Sequence, residues 1–212
     1  MELRQALRLH HPARAALVGA GGKTTALFQL AHELQPPVWL TTTTHLSIEQ
    51  THRADWHIQA RRRLDLVDFS PSEHQGIAVF TGMEENERAK GLSDELVNTL
   101  HALADQDQID LLIEADGARL LPLKSPAEHE PVIPGWTDQV MVMAGLSALG
   151  KPLSAETVHR AERYSAISGL PVGANLTPES VANVLVHPGG GLKGIPSFAQ
   201  PIAILNQADS LD

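Results

Sequence analysis

The sequence predicts an α/β fold, a single domain over residues 1–212 whose mainly parallel central sheet is flanked by helices. Six short runs are apolar at successive positions, as strands covered on both faces are. Helical patterns separate these runs, and such alternation is typical of a parallel sheet with helices on both sides. Of the 212 residues, 42% are hydrophobic, which is enough for an ordinary buried core.

The predicted elements follow one another in a regular order. The strands are AALVG (15–19), VWLTTT (38–43), IAVFTG (77–82), IDLLIEAD (109–116), QVMVMAG (139–145) and PIAILN (201–206). The helices cover residues 24–34, 93–104 and 177–186. Ser93 and Thr177 are typical N-cap residues, and Pro178 is favoured at the first helical position. Residues 49–76 are polar, and their pattern assigns no element.

Composition excludes several classes of function. The formal net charge is −9, whereas nucleic-acid phosphates are bound by basic surfaces, so we expect neither a nucleic acid nor an anionic membrane as partner. No window reaches the roughly 18 apolar residues of a membrane span. The lack of cysteine excludes disulfides, thiolate metal sites and cysteine catalysis. It fits the reducing cytoplasm, where we expect the protein.

The stretch LVGAGGKTT (17–25) carries the first indication of function. It lies between a predicted strand and a predicted helix, where backbone N–H groups and a helix N-terminus converge on an anion. Glycines let such a turn close around phosphate oxygens; the lysine would reach the β- and γ-phosphates, and the threonines would contact Mg²⁺ and the α-phosphate. The predicted nucleotide-binding residues are Gly19, Ala20, Gly21, Gly22, Lys23, Thr24 and Thr25, with Thr24 on the metal and Lys23 also in catalysis.

This loop departs from the full P-loop pattern at one position. The pattern has a glycine five positions before the glycine of the Gly-Lys pair, and Leu17 stands there. The alternative is a glycine-rich turn with a solvated lysine, and the stretch alone leaves both interpretations open.

Two carboxylates end the predicted strand in DLLIEADG (110–117). Alternation along a strand puts Glu114 and Asp116 on one face, and nucleotide hydrolases hold Mg²⁺ with an acid at this place. Asp116 is assigned to metal binding and catalysis, and Glu114 to the metal. Thr44 is a further candidate for the metal, because open parallel sheets bind ligands at the carboxyl ends of their strands. The alternatives are a solvated acidic strand end and threonines that merely favour strands.

The stretch NQAD (206–209) follows the last predicted strand and resembles the guanine-reading N-K-x-D pattern. On this interpretation Asn206 and Asp209 read a purine base. Gln207 replaces the lysine that packs over the base in that pattern. The alternative is simply a polar strand end.

Several stretches together resemble one protein family. They are, in order, VGAGGKTT, LTTTTH, EADGARLLPLKSPAEHEPVIP (114–134), LSALGKPL (146–153) with VHR (158–160), HPGGGLKGIP (187–196) and LNQAD. This set is similar to the YqeC family, the selenium-dependent molybdenum hydroxylase accessory proteins. The resemblance covers most of the chain, and residues 114–134 are its most specific part. It implies a P-loop NTPase-like protein that helps such hydroxylases mature.

The segment PLKSPAEHEPVIP contains four prolines, so we expect it to be extended and stiff. It would leave the acidic strand end and lie across the nucleotide, where Lys124 would contact a phosphate or an anionic second substrate. The alternative is an irregular loop that covers a sheet edge.

The motifs together predict a single P-loop-like domain that is a magnesium-dependent NTPase using GTP or ATP. Two alternatives remain. One is a small-molecule kinase with the same loop, and the other is a nucleotide-gated module that delivers a cofactor or engages a client enzyme with negligible turnover. The resemblance implies a molybdenum hydroxylase, or its cofactor-maturation machinery, as the partner.

Overall fold

The structure, a computed structural model, describes residues 2–209. The helices are α1 Leu3–Ala6, α2 Lys23–Glu33, α3 Ile48–Thr51, α4 Arg63–Val67, α5 Asp94–Gln106, α6 Ala161–Ser168 and α7 Pro178–Leu185, with a 3₁₀ turn at Leu146–Ala148. The strands are β1 Arg14–Gly19, β2 Val38–Thr42, β3 His45–Ser47, β4 Trp56–Gln59, β5 Ile77–Thr81, β6 Glu84–Glu85, β7 Arg88–Lys90, β8 Asp110–Glu114, β9 Leu123–Lys124, β10 Gln139–Gly145, β11 Val158–His159 and β12 Gln200–Asn206.

Seven of these strands form the central sheet in the order β12-β10-β1-β8-β2-β5-β4. Every pairing in this sheet is parallel, which confirms the predicted α/β class. All six predicted strands belong to it, and their predicted and observed bounds differ by at most two residues. The capped helices also begin where predicted, because the side chains of Ser93 and Thr177 accept hydrogen bonds from the backbone three residues later.

The sequence pattern missed one strand of this sheet and two small sheets. Strand β4 is an edge strand in the polar region 49–76, and its side chains are exposed or half-buried, so its apolar signal is weak. Strands β3, β7 and β6 form an antiparallel sheet, and β9 pairs with β11. These strands have two or three residues each, which is too short for any periodicity to be read.

The two faces of the central sheet are buried by different helices. Along β1, Ala15 and Leu17 pack in the cluster that includes α2, whereas Ala16 and Val18 pack in the cluster that includes α5. A third cluster lies beneath α6 and α7. None of the helices in residues 2–209 is long and apolar enough to cross a membrane.

The position of β1 in the sheet decides which groups meet at its carboxyl end. Strand β1 lies between β8 and β10, with Leu17 opposite Glu114 and Gly19 opposite Met143. The glycine turn that follows β1 is therefore the direct neighbour of the acidic end of β8.

Candidate functional site

The glycine turn connects β1 to α2 in a conformation that requires glycine. Gly19, Gly21 and Gly22 have φ of 92°, 81° and 112°, in the left-handed region. A Cβ at Gly19 would collide with the carbonyl oxygen of Met143. The amide of Ala20 donates to that same oxygen at 2.9 Å, so the turn is held directly against β10.

The turn delivers the chain into an uncapped helix N-terminus. Gly22 is the N-cap of α2, and no side chain caps the helix. The amides of a first helical turn have no partner within the helix, and the helix dipole adds partial positive charge there. Thr25 is exposed on this turn. The arrangement can therefore bind an anion through backbone N–H groups, as the sequence predicts.

Lys23 is the first residue of α2, and its side chain is folded back over the turn. Its Nζ donates to the carbonyl oxygen of Gly19 at 2.8 Å. It also lies 3.3 Å from Oδ1 of Asp116 and 3.8 Å from Oε1 of Glu114. Its side chain is only 4% exposed, so these carboxylates balance a buried ammonium group.

The two carboxylates at the end of β8 have different partners. The hydroxyl of Thr24 donates to Oε2 of Glu114 at 2.7 Å. The backbone N–H of Gly19 instead donates to both oxygens of Asp116, at 3.1 and 3.0 Å. Burial raises the pKa of Glu114, although Lys23 and Thr24 oppose that shift. Thus Glu114 is the carboxylate beside the predicted metal-binding threonine, and Asp116 braces the loop.

A cation at this place would find hard oxygen donors. Within residues 2–209 no group of three or more His, Cys, Asp or Glu side chains is arranged to hold a metal ion. Thr24 and Glu114 alone suit Mg²⁺, which is usually held by one or two carboxylates and keeps water and phosphate oxygens as its other ligands. Thr44 lies beside Gly117, because a Cβ built on Gly117 would be 3.5 Å from the hydroxyl oxygen of Thr44.

Lys124 lies at the site but is already fully engaged. Its Nζ donates to the carbonyl oxygen of Gly117 at 2.7 Å and to Oε2 of Glu130 at 2.8 Å, and it is 2.8 Å from Oδ2 of Asp116. Two of the three N–H donors of this ammonium group make hydrogen bonds, and the group is also ion-paired with Asp116. The side chain is 2% exposed. In this structure Lys124 therefore joins two carboxylates, which differs from the phosphate contact expected from the sequence.

Arg160, which lies in the stretch VHR (158–160) but was given no role from the sequence, completes the charge network. Its guanidinium binds both carboxylate oxygens of Glu130 at 2.9 Å each, and it donates to the carbonyl oxygen of Ser125. Burial alone would raise the pKa of Glu130, but the hydrogen bonds from Arg160 and Lys124 outweigh it and lower that pKa to about 2. Burial and the positive charges of Arg160 and Lys124 lower the pKa of His159 to about 4. Three cations and three carboxylates thus lie in one chain of contacts from Lys23 to Arg160.

The residues predicted to read a base lie on the other side of the glycine turn. Nδ2 of Asn206 donates to the carbonyl oxygen of Gly21 at 2.8 Å, so this side chain supports the turn. Gln207 accepts a hydrogen bond from the hydroxyl of Ser147. Asp209 is exposed. Asn206 therefore contacts the turn itself, whereas the exposed side chain of Asp209 makes no hydrogen bond or ion pair with the residues that the structure describes.

Most residues of this site lie in the part of the chain that is similar to known proteins. The family model described as YqeC protein matches residues 15–162, which include the glycine turn, both carboxylates of β8 and Arg160. A protein of Escherichia coli (strain K12) described as the uncharacterized protein YqeC is 34% identical over 200 residues, covering 92% of this chain and 76% of the relative. No solved structure matches the chain. These matches confirm the resemblance seen in the sequence motifs, and the chain belongs to the YqeC family.

Proposed function

We propose that this protein binds a purine nucleoside triphosphate with Mg²⁺ at the glycine turn and hydrolyses it slowly. One observation carries the proposal. A turn formed by three left-handed glycines leads into an uncapped helix whose first two side chains, Lys23 and Thr24, contact the carboxylates at and just beyond the end of the neighbouring strand. N–H donors for an anion, the ammonium group of Lys23 and oxygen ligands for a metal thus occupy one corner of the sheet.

Each group has a role that its contacts support. The turn amides bind phosphate oxygens, and Lys23 exchanges its carboxylate partners for the β- and γ-phosphates. Thr24 and Glu114 hold Mg²⁺, and Asp116 keeps the turn closed through the N–H of Gly19. Bound Mg²⁺ would neutralise charge that develops on the phosphate oxygens during transfer. Asp209, exposed beyond β12, supplies the carboxylate that reads the base.

The biological role extends this proposal to a partner. The segment 114–134 carries the most specific likeness to accessory proteins of selenium-dependent molybdenum hydroxylases, and it also holds Asp116, Lys124 and Glu130 of the site. We therefore propose a molybdenum hydroxylase, or its cofactor-maturation machinery, as the client. Co-purification of a tagged hydroxylase with this protein, with and without GTP or ATP, tests that step separately from nucleotide binding.

Calorimetric titration of GTP and ATP into wild type and Lys23→Ala tests the binding site. We expect the variant to lose about a hundredfold in affinity, since hydrogen bonds to charged groups contribute ~1.5–3 kcal/mol each. Arg63→Ala is the matched control, because it also removes one cation but lies on α4 beside the β4 edge of the sheet. Equal affinities for wild type and Lys23→Ala would refute the phosphate site.

Measurement of phosphate release by the wild type then distinguishes a hydrolase from a kinase and from a nucleotide-gated module. Release from the triphosphate without an added acceptor supports the hydrolase. Release only in the presence of a small-molecule acceptor indicates a kinase, and tight binding without release indicates a nucleotide-gated module.

A further inference from the structure

Asp116 is shared by two buried lysines. Nζ of Lys23 lies 3.3 Å from one carboxylate oxygen, and Nζ of Lys124 lies 2.8 Å from the other. The Asp116 side chain is 2% exposed, and so is that of Lys124. One carboxylate therefore has two counter-ions, and the two are held by different parts of the chain, the first turn of α2 and strand β9.

This sharing matters because the proposed function requires Lys23 to move. A lysine that contacts the β- and γ-phosphates must give up most of its contact with Asp116. Removing the counter-ion of a buried carboxylate is strongly destabilising, because the charge is left without compensation in a medium of low polarity. With Lys23 as its sole cation, Asp116 would resist nucleotide binding.

We propose that Lys124 is the counter-ion that keeps Asp116 neutralised while Lys23 contacts the phosphates. The inference rests on the proposed function and makes Lys124 a positioning residue, which acts on the ligand through Asp116 and Lys23.

The rest of the network controls how strongly Lys124 holds Asp116. Glu130 competes for the same ammonium group at 2.8 Å, and Arg160 in turn binds Glu130 with two hydrogen bonds. Arg160 adopts φ of 67° at the N-cap of α6, a left-handed conformation that disfavours residues with a Cβ. The guanidinium fork on Glu130 is thus made despite a local cost in backbone free energy.

The proposal predicts opposite effects for two neighbouring substitutions. Lys124→Met leaves Lys23 as the only cation on Asp116, so triphosphate affinity should fall about tenfold or more. Glu130→Gln removes the competitor for Lys124, which then serves Asp116 more fully, so affinity should rise about two- to fivefold. A purely structural role of this segment would make both variants bind more weakly.

A double substitution identifies Asp116 as the link. In Asp116→Asn the carboxylate that Lys124 neutralises is gone, so adding Lys124→Met should cost no further affinity, and the two effects should be strongly non-additive. Wild type, Lys124→Met, Asp116→Asn and the double variant are each titrated with GTP and with ATP in EDTA, so that the metal site does not contribute. Thermal unfolding confirms that each protein is folded.

The outcomes separate this inference from the proposed function. If Lys23→Ala binds as wild type does, the phosphate site itself is wrong. If Lys23→Ala lowers triphosphate affinity but Lys124→Met does not, only the counter-ion role is overturned. The same holds if Lys124→Met lowers affinity equally with Asp116 and with Asn at position 116. If Lys124→Met does not fold, Glu130→Gln decides alone: tighter binding supports the role, and unchanged or weaker binding overturns it.

Discussion

On the phosphate side of the candidate site, Lys23, Glu114 and Asp116 are buried and hold one another through ion pairs and backbone hydrogen bonds. On the base side, Asn206 contacts a loop carbonyl oxygen, and Asp209 is exposed. Both sides lie at the carboxyl edge of the same sheet, β1 and β8 carrying one and β12 the other.

The two sides differ in the strands that position their side chains. The phosphate side is positioned by central strands with neighbours on both sides, so its geometry is part of the core. The base side follows an edge strand whose side chains are exposed or half-buried. We infer that the phosphate-binding groups are preorganised and that contacts with the base contribute less to the free energy of nucleotide binding.

Acid should affect the phosphate side most, through Glu130. Because its folded-state pKa is about 2, below the ordinary value of 4.5, its contribution to stability is present above about pH 5 and is lost as the pH falls towards 2. This shift corresponds to at most about 3 kcal/mol. Urea unfolding should therefore show Glu130→Gln well below wild type in stability at pH 7, with the gap narrowing steadily as the pH falls from 5 towards 2.

Glu73→Gln provides the control for that series, since Glu73 is an exposed glutamate away from the network. A gap between wild type and Glu130→Gln that stays constant from pH 7 to pH 3 would contradict the assignment of the ion pair.

Substitutions of Glu114, the last residue of β8, and of Asp116, two residues beyond it, should have different effects on magnesium-dependent binding. Glu114→Gln should abolish the gain in triphosphate affinity that Mg²⁺ provides, which we expect to be about tenfold or more, because Glu114 is the carboxylate bound by Thr24. Asp116→Asn should keep that gain. Titration of each variant with and without Mg²⁺ measures both components. If Asp116→Asn instead loses the gain and Glu114→Gln keeps it, Asp116 is the metal ligand, as the sequence alone favours.

The smallest effect is expected on the base side. A carboxylate at Asp209 pairs with the N1–H and 2-amino group of guanine and has no such partners on adenine, so GTP should be preferred over ATP by about tenfold. Asp209→Asn should lower the affinity for GTP and raise the affinity for xanthosine triphosphate. Competition binding checks this, with Asp107→Asn, exposed at the end of α5, as the control. A preference for ATP, or no change in Asp209→Asn, would show that the base is read elsewhere.

The sequence predicted well those features that depend on local patterns. Buried strands show as apolar runs, and the turn after β1 shows as glycines followed by Lys23 and Thr24, so the sheet and the corner that holds the candidate site could be predicted from local patterns. Strand β4 could not, because an edge strand with half-buried side chains has little apolar pattern.

The pairings within the site were harder to read, because they depend on residues distant along the chain. Arg160 meets Glu130 across 30 positions, and the strand pair β9–β11 that brings them together is only two residues long. Lys124 lies beside the other candidate residues, but whether it would face a ligand or two carboxylates depended on Glu130 and Asp116 converging on it. Only the three-dimensional arrangement contains that information.

Asp116 has a consequence for which anions the glycine turn will accept. Its carboxylate is bound by the N–H of Gly19 and by both lysines, so it acts as a resident anion that every incoming ligand must outcompete for Lys23. A monovalent ion such as chloride gains too little attraction to displace a fixed carboxylate, whereas a triphosphate brings several charges at once. Because the resident pair is buried, dissolved salt screens it far less than it screens the approaching ligand. If the turn binds nucleotides as proposed, we therefore expect it to favour multivalent over monovalent anions, because its competitor, the Asp116 carboxylate, is part of the chain and is always present at the site.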